Sequence, residues 1–243
     1  LNSLFLAGLF LCAAPQTYVL NTTENIWDAT VEEINGDTFK DVFLLTCDEL
    51  NRPLKKTLCG FVADNSGIYP PQPTVSLQLD PSIGALCFAE VDGQAPRELL
   101  ALDAAGATIY RFSNNAFEEI GKPRFSSLLP IGAKEPIFLK DGAVDLNDDG
   151  VDEWVIPVPT GAELRHADGL LASMKADVSS EIRRGNSLYV VHHLPAYTSF
   201  ALNGQKTKAL AFCSDEFTDF AYGPEWKEAF RFKIPLNVQE KWD

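Results

Sequence analysis

Histidine is scarce in this chain (three residues), methionine scarcer (one), and the five cysteines never stand in C-x-x-C spacing. That leaves little from which to build a zinc site of thiolates and imidazoles. Positive charge is short as well: 20 Lys and Arg stand against 34 Asp and Glu, a formal charge of −14. The basic runs reach only Lys55-Lys56 and Arg183-Arg184. A nucleic-acid groove or an anionic membrane surface needs clustered cations, so neither is expected as partner. No stretch approaches the roughly 20 apolar residues of a membrane span. A G-x-S-x-G nucleophile elbow is missing, and so is either Gly-rich phosphate fingerprint.

What remains is ordinary globular composition, 46% apolar and 22% charged over 243 residues, enough for a sizeable core in one large domain or two modest ones. The run Leu4–Ala14 is apolar and ends in small residues, which reads as the h-region and cleavage end of a secretory signal over residues 1–14; a buried first strand is the competing reading. With no Met or basic n-region, the chain is expected to start inside a longer N-terminus. Export would place the protein outside the cell, in a periplasm or on a cell surface. There, Cys47 and Cys59 could pair across the turn-like Asn51-Arg52-Pro53, with two separate buried thiols as the alternative. A sequon stands at Asn21-Thr22-Thr23.

Internal periodicity is the strongest signal. Segments beginning at Glu33, Glu90, Asp145 and Ala201 lie 57, 55 and 56 residues apart. Position two is always aliphatic (Ile34, Val91, Leu146, Leu202), position three carries a short side-chain oxygen (Asn35, Asp92, Asn147, Asn203), and positions ten to twelve are apolar. Gly106 and Gly161 recur sixteen residues into the second and third units, each ahead of a similar run. The stretch 164–182 has near-helical apolar spacing, but register with the preceding unit makes 162–167 a strand with a hairpin turn at Asp168-Gly169, and that reading is preferred. Further strands are expected at Lys56–Ala63, Thr74–Leu79 and Ser187–His193. Units of about 56 residues with roughly four strands have the size of a β-propeller blade. The expected fold is all-β, a single propeller over residues 15–243 with about four such blades present.

The loop opening each unit carries chemistry. In a D-x-[DN]-x-[DN]-G run, alternate side chains surround one centre, and a hard cation such as Ca²⁺ wants six to eight oxygens there. The third loop meets this with Asp145, Asn147, Asp149 and Gly150, the Val151 carbonyl, and Glu153 closing the site while Asp152 is left to solvent. Ile156 at position twelve lies in a strand-like run, which excludes an EF-hand. The first loop keeps Glu33, Asn35, Asp37 and Asp41 but has Thr38 where Gly is expected; the second keeps Glu90, Asp92 and Glu98; the fourth has no carboxylate at a ligand position and should hold no metal. The alternative is that these Asn and Asp residues make Asx-turns only.

The D-L-N-D-D-G-V-D-E loop followed by an apolar strand, recurring at this spacing, resembles the FG-GAP/VCBS-type repeat of calcium-binding β-propellers, also found in integrin α heads. The resemblance spans most of residues 28–215. It implies Ca²⁺ near one rim, held by Asp145, Asn147, Asp149 and Glu153 and in the first loop by Glu33, Asn35, Asp37 and Asp41. Such propellers usually have about seven blades, so it also implies that this chain is a fragment or an unusually small propeller. The function expected is an exported binding module, with structural calcium and an extracellular protein or glycan as ligand. An enzyme, a hydrolase or lyase with its site in a central channel, is the alternative; His166 with Asp168, and His192-His193, are its acid–base candidates. A spacer role is a third reading, with Phe217, Phe220, Tyr222, Trp226 and Phe230 marking a domain contact or, preferably, closing the final core.

Overall fold

The computed structural model describes residues 17–48, 54–129, 136–140, 142–175, 179–185, 187–192, 196–201, 208–213, 216–221 and 227–233. These residues contain strands and no helix. The first sheet is an antiparallel meander of β1 (Asn25–Glu32), β2 (Asp41–Asp48), β3 (Lys55–Phe61) and β4 (Val75–Leu79). The second runs through β5 (Ala85–Ala89), β6 (Glu98–Asp103), β7 (Gly106–Ser113) and β8 (Ala116–Gly121), with the two-residue β9 (Ile137–Phe138) added in parallel beside β5. The third is β10 (Ala143–Val144), β11 (Glu153–Val158), β12 (Gly161–His166) and β13 (Gly169–Lys175). A separate hairpin of β14 (Ser179–Arg184) and β15 (Ser187–His192) follows, and then a fourth meander of β16 (Ala196–Ala201), β17 (Lys208–Cys213), β18 (Glu216–Ala221) and β19 (Lys227–Lys233).

Side-chain alternation explains how the first three sheets stack. Along β5, Leu86 and Phe88 pack with Phe43, Leu45 and Leu58 of the first sheet. The intervening Ala85, Cys87 and Ala89 pack with Trp154, Ile156 and Val158 of the third. The same split sends Leu99 and Ala101 of β6 one way and Leu100 and Leu102 the other. The second sheet is thus covered on both faces, which is why β5 and β6 are apolar almost throughout rather than alternating. The outer face of the first sheet carries a smaller cluster of Leu44, Cys59 and Phe61, covered by Leu20 and Tyr69.

The preference for strands over a helix across 164–175 holds, with one adjustment. His166 pairs with Gly169, so the two-residue turn is Ala167-Asp168 and Gly169 already belongs to β13. Gly106 and Gly161 close two-residue hairpins at positive φ (153° and 138°), each as the first residue of its sheet's third strand. The expected Cys47–Cys59 disulfide is overturned. Cys47 lies opposite Lys56 and Cys59 opposite Leu44, three rungs apart and on opposite faces of the sheet, and both residues are buried and outside any disulfide. Residues 1–14, the fourth loop at 202–207, His193 and the aromatic side chains beyond Phe217 lie outside the described residues.

Candidate metal centre

The three described acidic loops occupy one structural position: each joins the first and second strands of its meander, β1–β2, β5–β6 and β10–β11. Their backbones turn alike. Position four takes a left-handed conformation in all three, at Gly36 (φ 81°), Gly93 (φ 75°) and Asp148 (φ 64°). The sharp turn of the first loop is therefore made at Gly36, and Thr38 at position six is no obstacle to it. A Cβ on Gly36 would meet nothing within 4 Å. Gly36→Ala should accordingly cost only the backbone strain, about 1 kcal/mol, read as a shift in the urea midpoint at unchanged slope.

The side chains close these turns. The position-three oxygen accepts the position-five N–H in every loop: Asn35 from Asp37 (3.0 Å), Asp92 from Gln94 (3.0 Å) and Asn147 from Asp149 (2.9 Å). Asp37 and Asp149 each accept the N–H two residues on, from Phe39 (2.6 Å) and Val151 (2.8 Å). Glu33 accepts from Asn35 and Gly36, and Asp145 from Asp148 and Gly150. The Asx-turn pattern is real, and it also fixes where the remaining carboxylate oxygens point.

Position nine does something the sequence did not reveal. Asp41, Glu98 and Glu153 are almost wholly buried. Each accepts the N–H of the aliphatic residue at position two: Ile34 (3.2 Å), Val91 (3.1 Å) and Leu146 (2.7 Å). The carboxylate clasps the loop base while the aliphatic side chain anchors it in the core. A second partner comes from the third strand or its end: the Ala63 N–H on Asp41 (2.9 Å), Arg111 on Glu98, and His166 Nε2 with Glu153 Oε1 (3.3 Å). The hydrogen bond to Glu153 is the chief reason His166 titrates above its ordinary value.

Asp152, expected in solvent, is instead 4% exposed and ties two sheets together. Its N–H donates to the Glu90 carbonyl (2.8 Å), and its Oδ2 accepts the Glu90 N–H (2.8 Å) and Arg97 Nη2 (2.5 Å). Arg97 reaches on to Glu32 Oε1 at the end of β1 (3.3 Å). One guanidinium in the second loop thus links the end of β1, at the base of the first loop, to the third loop, and the three loops lie at the same end of the stacked sheets.

The loops differ in how well they suit a cation. In the third, Asn147 Nδ2 donates to both Asp149 Oδ2 and Glu153 Oε1, each at 2.9 Å. Carboxylate oxygens from positions five and nine therefore converge on one point, filled by a single amide that could turn its oxygen inward. These oxygens are the donors a hard divalent ion such as Ca²⁺ takes, although among the described residues only the second loop brings three carboxylates within 4.8 Å of one another. In the first loop, Asn35 Nδ2 donates to Asp37 Oδ2 (2.9 Å). Glu33, Asp37 and Asp41 enter no ion pair among the described residues. Burial chiefly, with Asp37 and Glu33 adding, pushes the Asp41 carboxyl above its ordinary range. In the second loop, ligand oxygens of Glu90, Asp92 and Glu98 lie within 4.8 Å of one another, but Arg111 bonds two of them.

Of the acid–base candidates, His166 shares a hydrogen bond with Glu153 (3.3 Å), and the side chains of His192 and His193 lie outside the described residues. A cavity of about 240 Å³ does open where β1, β5, β9 and β10 meet, lined by Thr30, Glu32, Cys87, Arg97, Phe138 and Lys140. Burial pushes the Cys87 thiol up to about 12, so it stays protonated at neutral pH and is a core residue rather than a nucleophile. No family model matches the chain, and no curated protein is significantly similar to it in sequence.

Proposed function

We propose that this chain is an exported calcium-binding β-propeller of the FG-GAP/VCBS kind, in which Ca²⁺ stiffens one rim of a module that binds an extracellular protein or glycan. The observation that carries the reading is the convergence of Asp149 and Glu153 on the Asn147 amide, in an all-oxygen loop at the position occupied by two further acidic loops. The face-to-face stacking of three meanders, with their first strands β1, β5 and β10 drawn together around a cavity, supports the propeller architecture. Calcium in this reading is structural. Asp145, Asn147, Asp149, the Val151 carbonyl and Glu153 hold it in the third loop, and Glu33, Asn35, Asp37 and Asp41 in the first. Binding then adds to the stability of the folded state, because the unfolded chain has no preformed site.

Thermal unfolding in millimolar Ca²⁺ and in chelator, for the native chain and for Asp149→Ala, tests this. An ion that binds only the folded state adds about 2.7 kcal/mol at 100 times its dissociation constant. The native chain should melt higher in calcium, and the rise should shrink in Asp149→Ala. Identical melting of the native chain in both conditions would reduce the loops to Asx-turns.

A further inference from the structure

We infer that the guanidinium of Arg111 stands where the other acidic loops would take a metal ion, making the second loop a calcium-independent member of the set. The inference rests on the proposed calcium reading for the first and third loops, and its own support is separate. Glu90, Asp92 and Glu98 bring one carboxylate oxygen each within 4.8 Å of the others, and like charges this close repel unless a cation or a proton lies among them. Arg111 is that cation. Its Nε and Nη2 both donate to Glu98 Oε1, at 2.9 and 2.7 Å, and Nη2 also donates to Asp92 Oδ2. A guanidinium keeps its charge at every physiological pH and presents several donors in one plane, so it can bridge two carboxylates as a fixed ion would.

Strand register shows why this happens in one loop only. Leu99 pairs with Tyr110, which sets Arg111 opposite Glu98. Trp154 pairs with Arg165, which sets His166 opposite Glu153, and Val42 pairs with Phe61, which sets Val62 opposite Asp41. At one and the same rung the three sheets therefore carry a permanent cation, a titratable ring and an uncharged aliphatic. The loop beside the arginine has also lost a carboxylate or Asn at position five, where Gln94 stands. A site that already contains its cation needs fewer acidic ligands.

The test removes Arg111 in a background where the other two loops are silenced by Asp37→Ala and Asp149→Ala, so that any calcium response must come from the second loop. That background alone should bind no calcium at the second loop and melt alike in calcium and chelator. Adding Arg111→Ala should lower the melting temperature in chelator, and millimolar Ca²⁺ should restore at least about half of the loss, with calorimetry showing one calcium taken up per chain. Arg111→Lys, which keeps a point charge without the fork, should lie between the two in chelator. An equal loss in both conditions with no calcium uptake overturns the inference, as does failure of Arg111→Ala to fold in either condition. The two readings fail separately. A native chain indifferent to calcium, with a response gained on Arg111→Ala, sinks the calcium reading of the other loops and leaves this one standing. A native response with nothing gained on Arg111→Ala does the reverse.

Discussion

Arg97→Ala is expected to destabilise the chain by about 3 kcal/mol, the lower end for breaking a buried ion pair, because the arginine itself is a third exposed. The larger part of the effect falls on what is left behind. The Asp152 carboxyl would be left at a site 4% exposed without Arg97, retaining its bond from the Glu90 N–H. Glu32 would keep only its contact with Lys40 (3.7 Å), so the end of β1 and the third loop would no longer be linked through the second. Urea unfolding gives the cost as a midpoint shift at unchanged slope. A double-mutant cycle with Asp152→Ala should return a coupling of at least about 1.5 kcal/mol, since each single change strands the other group. Coupling near zero would mean that the pair behaves as an ordinary surface contact and that packing alone aligns the loops.

Lys56→Ala is expected to cost about as much, roughly 3–4 kcal/mol, by a different route. Lys56 is 1% exposed, and its ammonium donates to the carbonyls of Pro81 (2.7 Å) and Ile83 (2.6 Å) in the connection from β4 to β5. The alanine leaves a cavity the length of the stem and two carbonyls short of a donor. Lys56→Met also removes the buried charge but keeps the stem, so it leaves little cavity and should cost distinctly less. Burial lowers the Lys56 pKa from its ordinary value of 10.5. In the window between the lowered folded value and 10.5, the unfolded chain holds more protons than the folded one, so the native chain gains stability as pH rises through it. The stability of the native chain relative to Lys56→Met should therefore increase toward alkaline pH. A difference that stays flat or falls would show that the ammonium is not destabilised by its site.

Much of the fold could be read from the chain because the signal was local. Val42–Leu45, Leu99–Leu102 and Trp154–Ile156 are apolar runs that immediately follow their loops, and burial on both faces is the reason they do not alternate. The Asx-turns of the loops were legible for the same reason, each turn position being fixed by its neighbours. Legibility stopped where partners are distant. Asp152 looks like a spare surface carboxylate until the third sheet packs on the second and brings Glu90 and Arg97, 62 and 55 residues away, against it. The spacing marks Glu153 and Asp41 as ligand candidates only and gives no sign that each clasps a backbone N–H. The left-handed turn at position four was visible at Gly36 and Gly93 but not at Asp148, while the turn expected at Gly150 is present (φ 87°) beside it. The cysteine pairing failed on register: Asp48 opposite Lys55 centres the hairpin ahead of where the Cys47–Cys59 pair requires it, and a shift of a residue and a half at the turn moves partners by three.

With the three described acidic loops at one end of the stacked sheets, the described residues are electrically lopsided. Glu33, Asp37, Glu90, Asp92, Asp145, Asp148 and Asp149 all reach solvent to some degree at that end, while the groove at the other end mixes Asp80 and Asp103 with Lys122 and Arg124. Under a net charge of −14, the field concentrates over the loops. Small cations are drawn to that end by diffusion through a favourable potential, and their arrival slows as ionic strength rises. An approaching macromolecule feels the same asymmetry before it touches anything. A positively charged partner is turned toward the rim, and a negatively charged one is turned to meet the opposite end first.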